Sequence, residues 1–163
     1  MFDMANDSDK FRTRDELESA GFVLQGNHFV HGDERYLPLY EAKMMHQFTH
    51  RWATYEQDGS IRVMTPDELR DPSALPLPRY WVDESEVSSR IEFWNHEWRL
   101  GFRNIASSTN ARTAIFGLIP RVAAGGSPLA FIGLEPVWTN AIIANMDCFV
   151  FDSEQNLKNF NTD

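Results

Sequence analysis

The hydrophobic and polar positions predict short helices and short strands in alternation. Thr13-Arg14-Asp15-Glu16 has the spacing of a capping box, so we expect a helix that begins there and runs to Ala20, with Gly21 as its C-terminal stop. Apolar positions on both sides of Gly26-Asn27 predict a small hairpin. The same reasoning predicts a hairpin turn at Asp58-Gly59 and a second helix that begins at Thr65-Pro66.

The segment from Tyr36 to Tyr55 concentrates aromatic and cationic side chains. Good helix formers from Glu41 to Phe48 predict a helix whose apolar face holds Met44, Met45 and Phe48. Pro38 has no backbone N–H, so we expect no regular central strand around it. Alternation after Arg51 then predicts a strand that leads into the Asp58-Gly59 turn.

The second half of the chain continues in the same style. Asp83 is a good N-cap for a helix through Trp98, in which Val87, Ile91, Trp94 and Trp98 would form one apolar stripe. Further predicted elements are strands over 101–105, 113–119 and 129–134 and an apolar helix from Thr139 to about Phe151. The pattern therefore predicts an α+β fold of short helices with small antiparallel sheets and hairpins.

The predicted elements suggest one main domain with flanking segments. Residues 1–35 would form an N-terminal helix and hairpin, with a frayed start over Met1–Lys10. Residues 36–151 would form the main domain, and residues 152–163 a polar tail without periodicity.

Composition is typical of a folded cytoplasmic protein. The chain has 163 residues, 42% of them apolar, which is enough to build a core. Its one cysteine, Cys148, excludes an intramolecular disulfide and favours a reducing cytoplasm. The first twenty residues lack the apolar run of a secretory signal, and no apolar run has the length of a membrane span, so we expect no membrane partner.

Charge is unevenly distributed along the chain. The net charge is -9, which argues against a broadly basic nucleic-acid-binding surface. Yet the segment from Trp98 to Leu134 contains four arginines and no acidic residue. A buried, strand-rich segment would exclude carboxylates as well, so the asymmetry leaves both interpretations open.

Two kinds of metal site can be considered in the central segment. His46 and His50 have zinc-ligand spacing, but Gln47 stands where a zinc protease has its general base, and no third ligand follows at a recognisable spacing. Glu41-Ala42-Lys43 has the E-x-K form of metal-dependent nucleases, with Asp33 upstream. Pro38 interrupts the hairpin that such a nuclease needs, so we predict no metal site.

The residues favour a recognition surface instead. Arg103, Asn110 and Arg112 flank a polar turn between two predicted strands. Arginine can bind guanine or phosphate through two hydrogen bonds, and asparagine can bind adenine in the same way. The alternative is structural: Arg103 and Arg112 could pair with Glu92 or Glu97 of the preceding element.

Motifs in a fixed order carry a family resemblance. They are the central PLYEAKMMHQFTHRWATY, then Pro78-Arg79-Tyr80-Trp81-Val82, Leu100–Ile105, Thr109–Thr113, Ile119-Pro120-Arg121, and Ala144-Asn145-Met146 with Phe149–Asp152. In this order they resemble large bacterial adenine-specific DNA methyltransferases of the type IIG restriction-modification, DISARM and bacteriophage-exclusion defence systems. The similarity extends from about Asn6 to Asp152.

The resemblance implies a target-recognition region that reads DNA while a methylase core flips and methylates adenine. It implies double-stranded DNA and a methylase core on another chain as partners. It implies DNA contacts for Lys43, His46, Arg51, Arg103, Asn110 and Arg112.

The sequence also departs from the family. The core's catalytic and cofactor motifs are missing from it, so we expect no catalytic residue and no cofactor here; in the full-length family, the core binds S-adenosylmethionine. The missing core motifs and the departure from the family pattern after Asp152 together lead us to expect a truncated or split gene product. The alternatives are a regulatory protein that docks on a methylase core and a small E-x-K nuclease.

Overall fold

The fold is α+β, as predicted. The computed structural model describes residues 1–103, 115–125, 129–132 and 136–146. The described strands are Val23–Gln25 (β1), His28–His31 (β2), Glu34–Tyr40 (β3), Ala53–Tyr55 (β4), Ile61–Val63 (β5), Trp81–Asp83 (β6), Trp98–Arg103 (β7), Phe116–Pro120 (β8), Ala123–Ala124 (β9) and Leu129–Ile132 (β10). The described α-helices are Arg14–Ser19 (α1), Pro66–Arg70 (α2), Glu84–Arg90 (α3) and Pro136–Met146 (α4), with 3-10 turns at Ser8–Lys10 and Ala42–Met44.

Strand β3 is the centre of the largest sheet. It pairs antiparallel with β2 and with β6, and its last two residues pair in parallel with β9. Pro38 lies in this strand opposite Trp81, so the expectation that it would prevent a strand is wrong. The N–H of Leu39 donates to the Tyr80 carbonyl on the β6 side. Because the N–H direction alternates along a strand, the nitrogen of Pro38 faces the other side, where pairing with β2 has already ended at Tyr36.

Two smaller sheets complete the described part of the chain. Strand β7 lies between β8 and β10 in an antiparallel three-stranded sheet. Strands β4 and β5 form the hairpin predicted around Asp58-Gly59. The Gly26-Asn27 hairpin and the capping boxes of Thr13 and Thr65 are also present as predicted.

The core joins the sheets and the N-terminal segment. Strands β3, β6 and β9 contribute to one apolar cluster with α3, while another is formed by β3, β4, β8, β9 and the 3-10 turn after β3. The N-terminal segment is part of the first cluster and is not frayed as expected. Phe2 is buried there, and the guanidinium of Arg90 forms two hydrogen bonds with the carboxylate of Asp7.

Three predicted helices differ from the observed ones. The helix from Asp83 ends at Arg90, because Ile91 leaves helical geometry and a turn leads to β7. Val87, Ile91 and Trp94 still reach one core cluster, although a single helix does not carry them. The last helix begins at Pro136, so Thr139 is a buried residue inside it and not its N-cap, and the predicted end at Phe151 lies outside the described residues.

The third difference is in the central segment. Residues Ala42–Met44 form a single 3-10 turn, and Met45 is extended where a helix over Glu41–Phe48 was expected. Within the described ranges, no helix is long and apolar enough to cross a membrane.

Candidate nucleic-acid interface

A tight turn after the 3-10 segment is the most distinctive local structure. The N–H of His46 donates to the Thr49 carbonyl at 2.8 Å, and the N–H of Thr49 donates back to the His46 carbonyl at 3.0 Å. Gln47 and Phe48 form the tip. Phe48 has a φ of 66°, and it is the one non-glycine residue with positive φ in the part of the chain that the structure describes. Such left-handed geometry costs a residue with a Cβ about 1–2 kcal/mol.

Three contacts from the β7–β8 ladder hold this turn from inside. The side-chain carbonyl of buried Gln47 accepts a hydrogen bond of 3.1 Å from the backbone N–H of Phe116. The guanidinium of Arg103 donates to the Met45 carbonyl. Gly117 lets the turn approach closely, since a Cβ there would lie 3.2 Å from the Met45 Cε and 3.4 Å from the His46 carbonyl oxygen.

Phe48 itself points away from these contacts. Its side chain is 75% exposed, so its own packing contributes little to offset the backbone cost. The turn is instead held by the hydrogen bond that the Gln47 side chain accepts from Phe116 and by the one that the Met45 carbonyl accepts from Arg103. The surrounding contacts therefore impose the strained geometry, as is common at functional sites.

Lys43 and His46 lie close to this turn in sequence. Lys43 is exposed between buried Ala42 and Met44. His46 is half-buried and lies against the Trp52 ring, with 4.5 Å between ring centroids. Of the predicted contact residues that the structure describes, Lys43 is the most accessible to a phosphate.

Arg51 has a structural position. Its guanidinium donates to the carbonyls of Leu69 at 2.6 Å, Asp71 at 2.7 Å and Ala74 at 2.8 Å. These carbonyls belong to the C-terminal end of α2 and the connector after it, where helix carbonyls lack partners within the helix. Arg51 therefore joins the central segment to the end of α2.

The arginines of β7 and the segment after β8 also donate to backbone carbonyls. Arg103 donates to Met45, Arg99 to Val122, and Arg121 to Trp94 at 3.1 Å. Burial lowers the pKa of Arg103, and the acceptor it contacts is not the Glu92 or Glu97 side chain considered from the sequence. Asn110 and Arg112 lie outside the described residues, so their predicted contacts stay predictions.

Other arginines form ion pairs with carboxylates. Arg14, Arg62 and Arg90 pair with the carboxylates of Glu18, Glu68 and Asp7. A carbonyl oxygen carries no net charge, so the hydrogen bonds that Arg51, Arg103 and Arg121 donate to backbone carbonyls do not cancel their positive charge. Arg103, which contacts the segment just before the turn, adds its positive charge to the field around the turn.

The fold brings together two stretches that carry lysine or arginine but no acidic residue. Residues 42–55 contain no acidic residue, and neither do residues 98–134. Together they carry six lysines and arginines, whereas the rest of the chain carries nine against 24 acidic residues. The turn at His46–Thr49 belongs to the first stretch, and the ladder that holds it belongs to the second. The sequence shows each stretch, but only the fold shows that they pack on each other.

The E-x-K and two-histidine arrangements do not assemble a metal site in the described ranges. The Glu41 carboxylate lies 3.3 Å from the Arg79 guanidinium, which stacks over the rings of Tyr55 and Tyr80. His46 begins the turn and His50 follows it, so the two do not share a helix face. Burial, and then the charge of Arg51, lowers the pKa of His50. Among the residues described, no group of three or more His, Cys, Asp or Glu side chains could hold a metal ion.

Comparison with known proteins adds no relative. No protein-family model, no curated protein and no solved structure matches the chain. The resemblance to adenine-specific DNA methyltransferases therefore stays a prediction.

Sequence reasoning missed Phe48, which it placed on the apolar face of a helix. The absence of acidic residues over 42–55 is a signal in the sequence that could have drawn attention to this segment.

Proposed function

We propose that this chain is a DNA target-recognition region of a site-specific adenine DNA methyltransferase in bacterial restriction-modification or phage defence. It has no catalytic role alone and binds no cofactor; S-adenosylmethionine belongs to the core of the full-length enzyme. The ordered motifs from about Asn6 to Asp152 support the family, and the single cysteine supports a cytoplasmic location.

One structural observation carries the DNA part of this proposal. The two acid-free stretches meet at the His46–Thr49 turn in a chain whose net charge is -9. Association with a polyanion needs a surface where carboxylates do not repel phosphates, and this meeting point is built from such stretches. The phosphates repel the acidic remainder of the chain, and this repulsion would orient the chain with the turn facing the DNA.

The predicted contact residues divide into two roles. Lys43 contacts a phosphate, and His46 contributes a second polar group beside it. Arg51 and Arg103 do not contact DNA directly, since their guanidinium groups already donate to backbone carbonyls. They hold the segment in place and add positive charge. Asn110 and Arg112 remain proposed base or phosphate contacts.

Salt dependence of DNA binding tests the proposal. The purified chain should bind duplex DNA with an affinity that falls as salt rises, and Lys43→Ala should reduce the slope of log K against log salt by about 0.9, the value for one lost phosphate contact. Arg70→Ala is the matched control, because Arg70 is an exposed cation in the acid-rich part of the chain. Its slope should equal that of the unmodified chain. Absence of DNA binding at low salt would refute the proposal, as would methyl transfer to DNA or calorimetric binding of S-adenosylmethionine by the chain alone.

A second candidate is a regulatory protein that docks on a methylase core without touching DNA. The net charge and the inward engagement of Arg51 and Arg103 favour it. Co-purification with a full-length methylase, without retention of duplex DNA, would select this candidate over the first.

A further inference from the structure

Phe48 combines two unfavourable properties at one position. Its backbone is in the left-handed region, and its large apolar side chain is 75% exposed. Glycine would avoid the backbone cost, and a polar side chain would avoid the exposure. Neither property is explained by the packing of Phe48 itself, which points to a contact made outside the chain.

The turn is built to keep Phe48 in this position. Gln47, the other tip residue, is turned inward and fixed by the Phe116 N–H, while the Arg103 guanidinium fixes the Met45 carbonyl. The two hydrogen bonds between His46 and Thr49 close the turn below the tip. An exposed aromatic side chain on a fixed backbone loses little conformational freedom when it enters a binding partner.

The absence of acidic residues around Phe48 favours DNA over a protein as its partner. Phe48 lies in an acid-free stretch and is held by a second one, whereas exposed Phe93 directly follows Glu92. A hydrophobic anchor for a protein partner needs no such exclusion of carboxylates. An apolar side chain that enters between stacked bases lies close to both phosphate backbones, so nearby carboxylates would be repelled and have to be absent.

We infer that Phe48 inserts as an apolar wedge between neighbouring base pairs of duplex DNA. This inference rests on the proposed function and adds a specific action to it. Insertion partly unstacks the base step, and Lys43 meets the phosphate backbone beside it. A base step whose stacking is already weakened costs less to open, so the chain prefers DNA with an abasic site over the same duplex fully paired.

The test compares two duplexes that differ only by one abasic site, with binding followed by fluorescence anisotropy. The unmodified chain should bind the abasic duplex more tightly. Phe48→Ala should weaken binding to the abasic duplex by about fivefold or more, the loss typical of one aromatic stacking contact, and should remove the preference between the duplexes. Phe93→Ala removes the same side chain from an equally exposed position and should keep both affinities. Circular dichroism of each variant checks that it folds.

The outcomes separate this inference from the function on which it rests. If the unmodified chain binds neither duplex, the proposed function fails. If it binds both and Phe48→Ala retains the preference, the wedge is overturned while DNA recognition stands. Loss of co-purification with a methylase core in Phe48→Ala, with DNA binding unchanged, would overturn the wedge in favour of a protein contact.

Discussion

The Arg103 guanidinium of β7 donates a hydrogen bond to the backbone carbonyl of Met45, just before the turn that carries Phe48. A charged donor contributes more than a neutral one to a carbonyl of a buried residue such as Met45, because without it the carbonyl would have no partner and no access to water. We therefore expect Arg103→Met to lower the free energy of unfolding by about 2 kcal/mol. Urea denaturation would measure this loss.

The loss should be concentrated near the turn. Amide hydrogen exchange of His46 and Thr49 should accelerate more in Arg103→Met than exchange in the β1–β2 hairpin, which belongs to a different sheet from Arg103. Arg70→Ala, in a pair whose side chains are largely exposed, should change stability by less than about 0.5 kcal/mol. Equal acceleration in both regions would show that Arg103 supports the whole fold and not the turn.

Phe48→Gly should raise stability while it removes the proposed wedge. Glycine adopts a φ of 66° without the steric cost of a Cβ, and the lost side chain is mostly exposed. We expect the free energy of unfolding to rise by up to about 1 kcal/mol, since the added chain entropy of glycine offsets part of the gain. Phe48→Ala keeps the Cβ and should not show this gain, and a marked loss in Phe48→Gly would mean that the side chain packs against the fold.

Arg51 should be sensitive to substitution even by lysine. Its guanidinium reaches three carbonyls at the end of α2 and in the connector after it, and one ammonium group cannot reproduce that arrangement. We expect Arg51→Lys to lose about 2 kcal/mol in thermal or urea unfolding, although its charge is kept. If Arg51→Lys is as stable as the unmodified chain, charge and not hydrogen-bond geometry is what this position requires.

His50 should make the fold less stable in mild acid. Burial, followed by the charge of Arg51, lowers its pKa below the ordinary 6.5, so the folded state binds its proton less readily than the unfolded state. Stability should therefore fall as pH drops from about 6.5 towards the lowered folded-state pKa. His50→Gln should flatten this part of the curve, and His28→Gln should flatten it too, because burial also lowers the pKa of His28. A curve that is unchanged in both variants would contradict the role of these histidines.

Asp7 should affect stability in a lower pH range. Its hydrogen bond from Arg90 lowers its pKa from 3.8 to about 2, so the ion pair stabilises the fold above 3.8 and is lost as pH falls towards 2. Asp7→Asn should therefore be less stable than the unmodified chain at neutral pH, and the difference should shrink through that range. Glu18→Gln, which breaks an exposed pair with Arg14, serves as the control and should show a small loss at most.

Local sequence signals predicted the local structure well. The two capping boxes at Thr13 and Thr65, the turns at Gly26-Asn27 and Asp58-Gly59, and the cap at Asp83 are all formed. Each depends on neighbours within a few residues, whose geometry is the same in most folds. The α+β class follows from these elements.

The candidate site was predicted less completely. The family resemblance singled out Lys43, His46, Arg51 and Arg103 as DNA contacts, but the sequence could not tell an outward side chain from an inward one. Arg51 and Arg103 donate to backbone carbonyls that are distant in the sequence, and no local sequence pattern predicts such contacts.

The sequence by itself determined where helices and turns begin, and it determined that two stretches exclude acidic residues. Only the tertiary structure decided that these stretches pack on each other and that residues 46–49 form a turn with a strained backbone at Phe48. Helix propensity over Glu41–Phe48 amounts to a few tenths of a kcal/mol per residue. The buried Gln47 amide and the Met45 carbonyl gain partners on β7 and β8 that a helix would deny them, and such long-range contacts outweigh local preference.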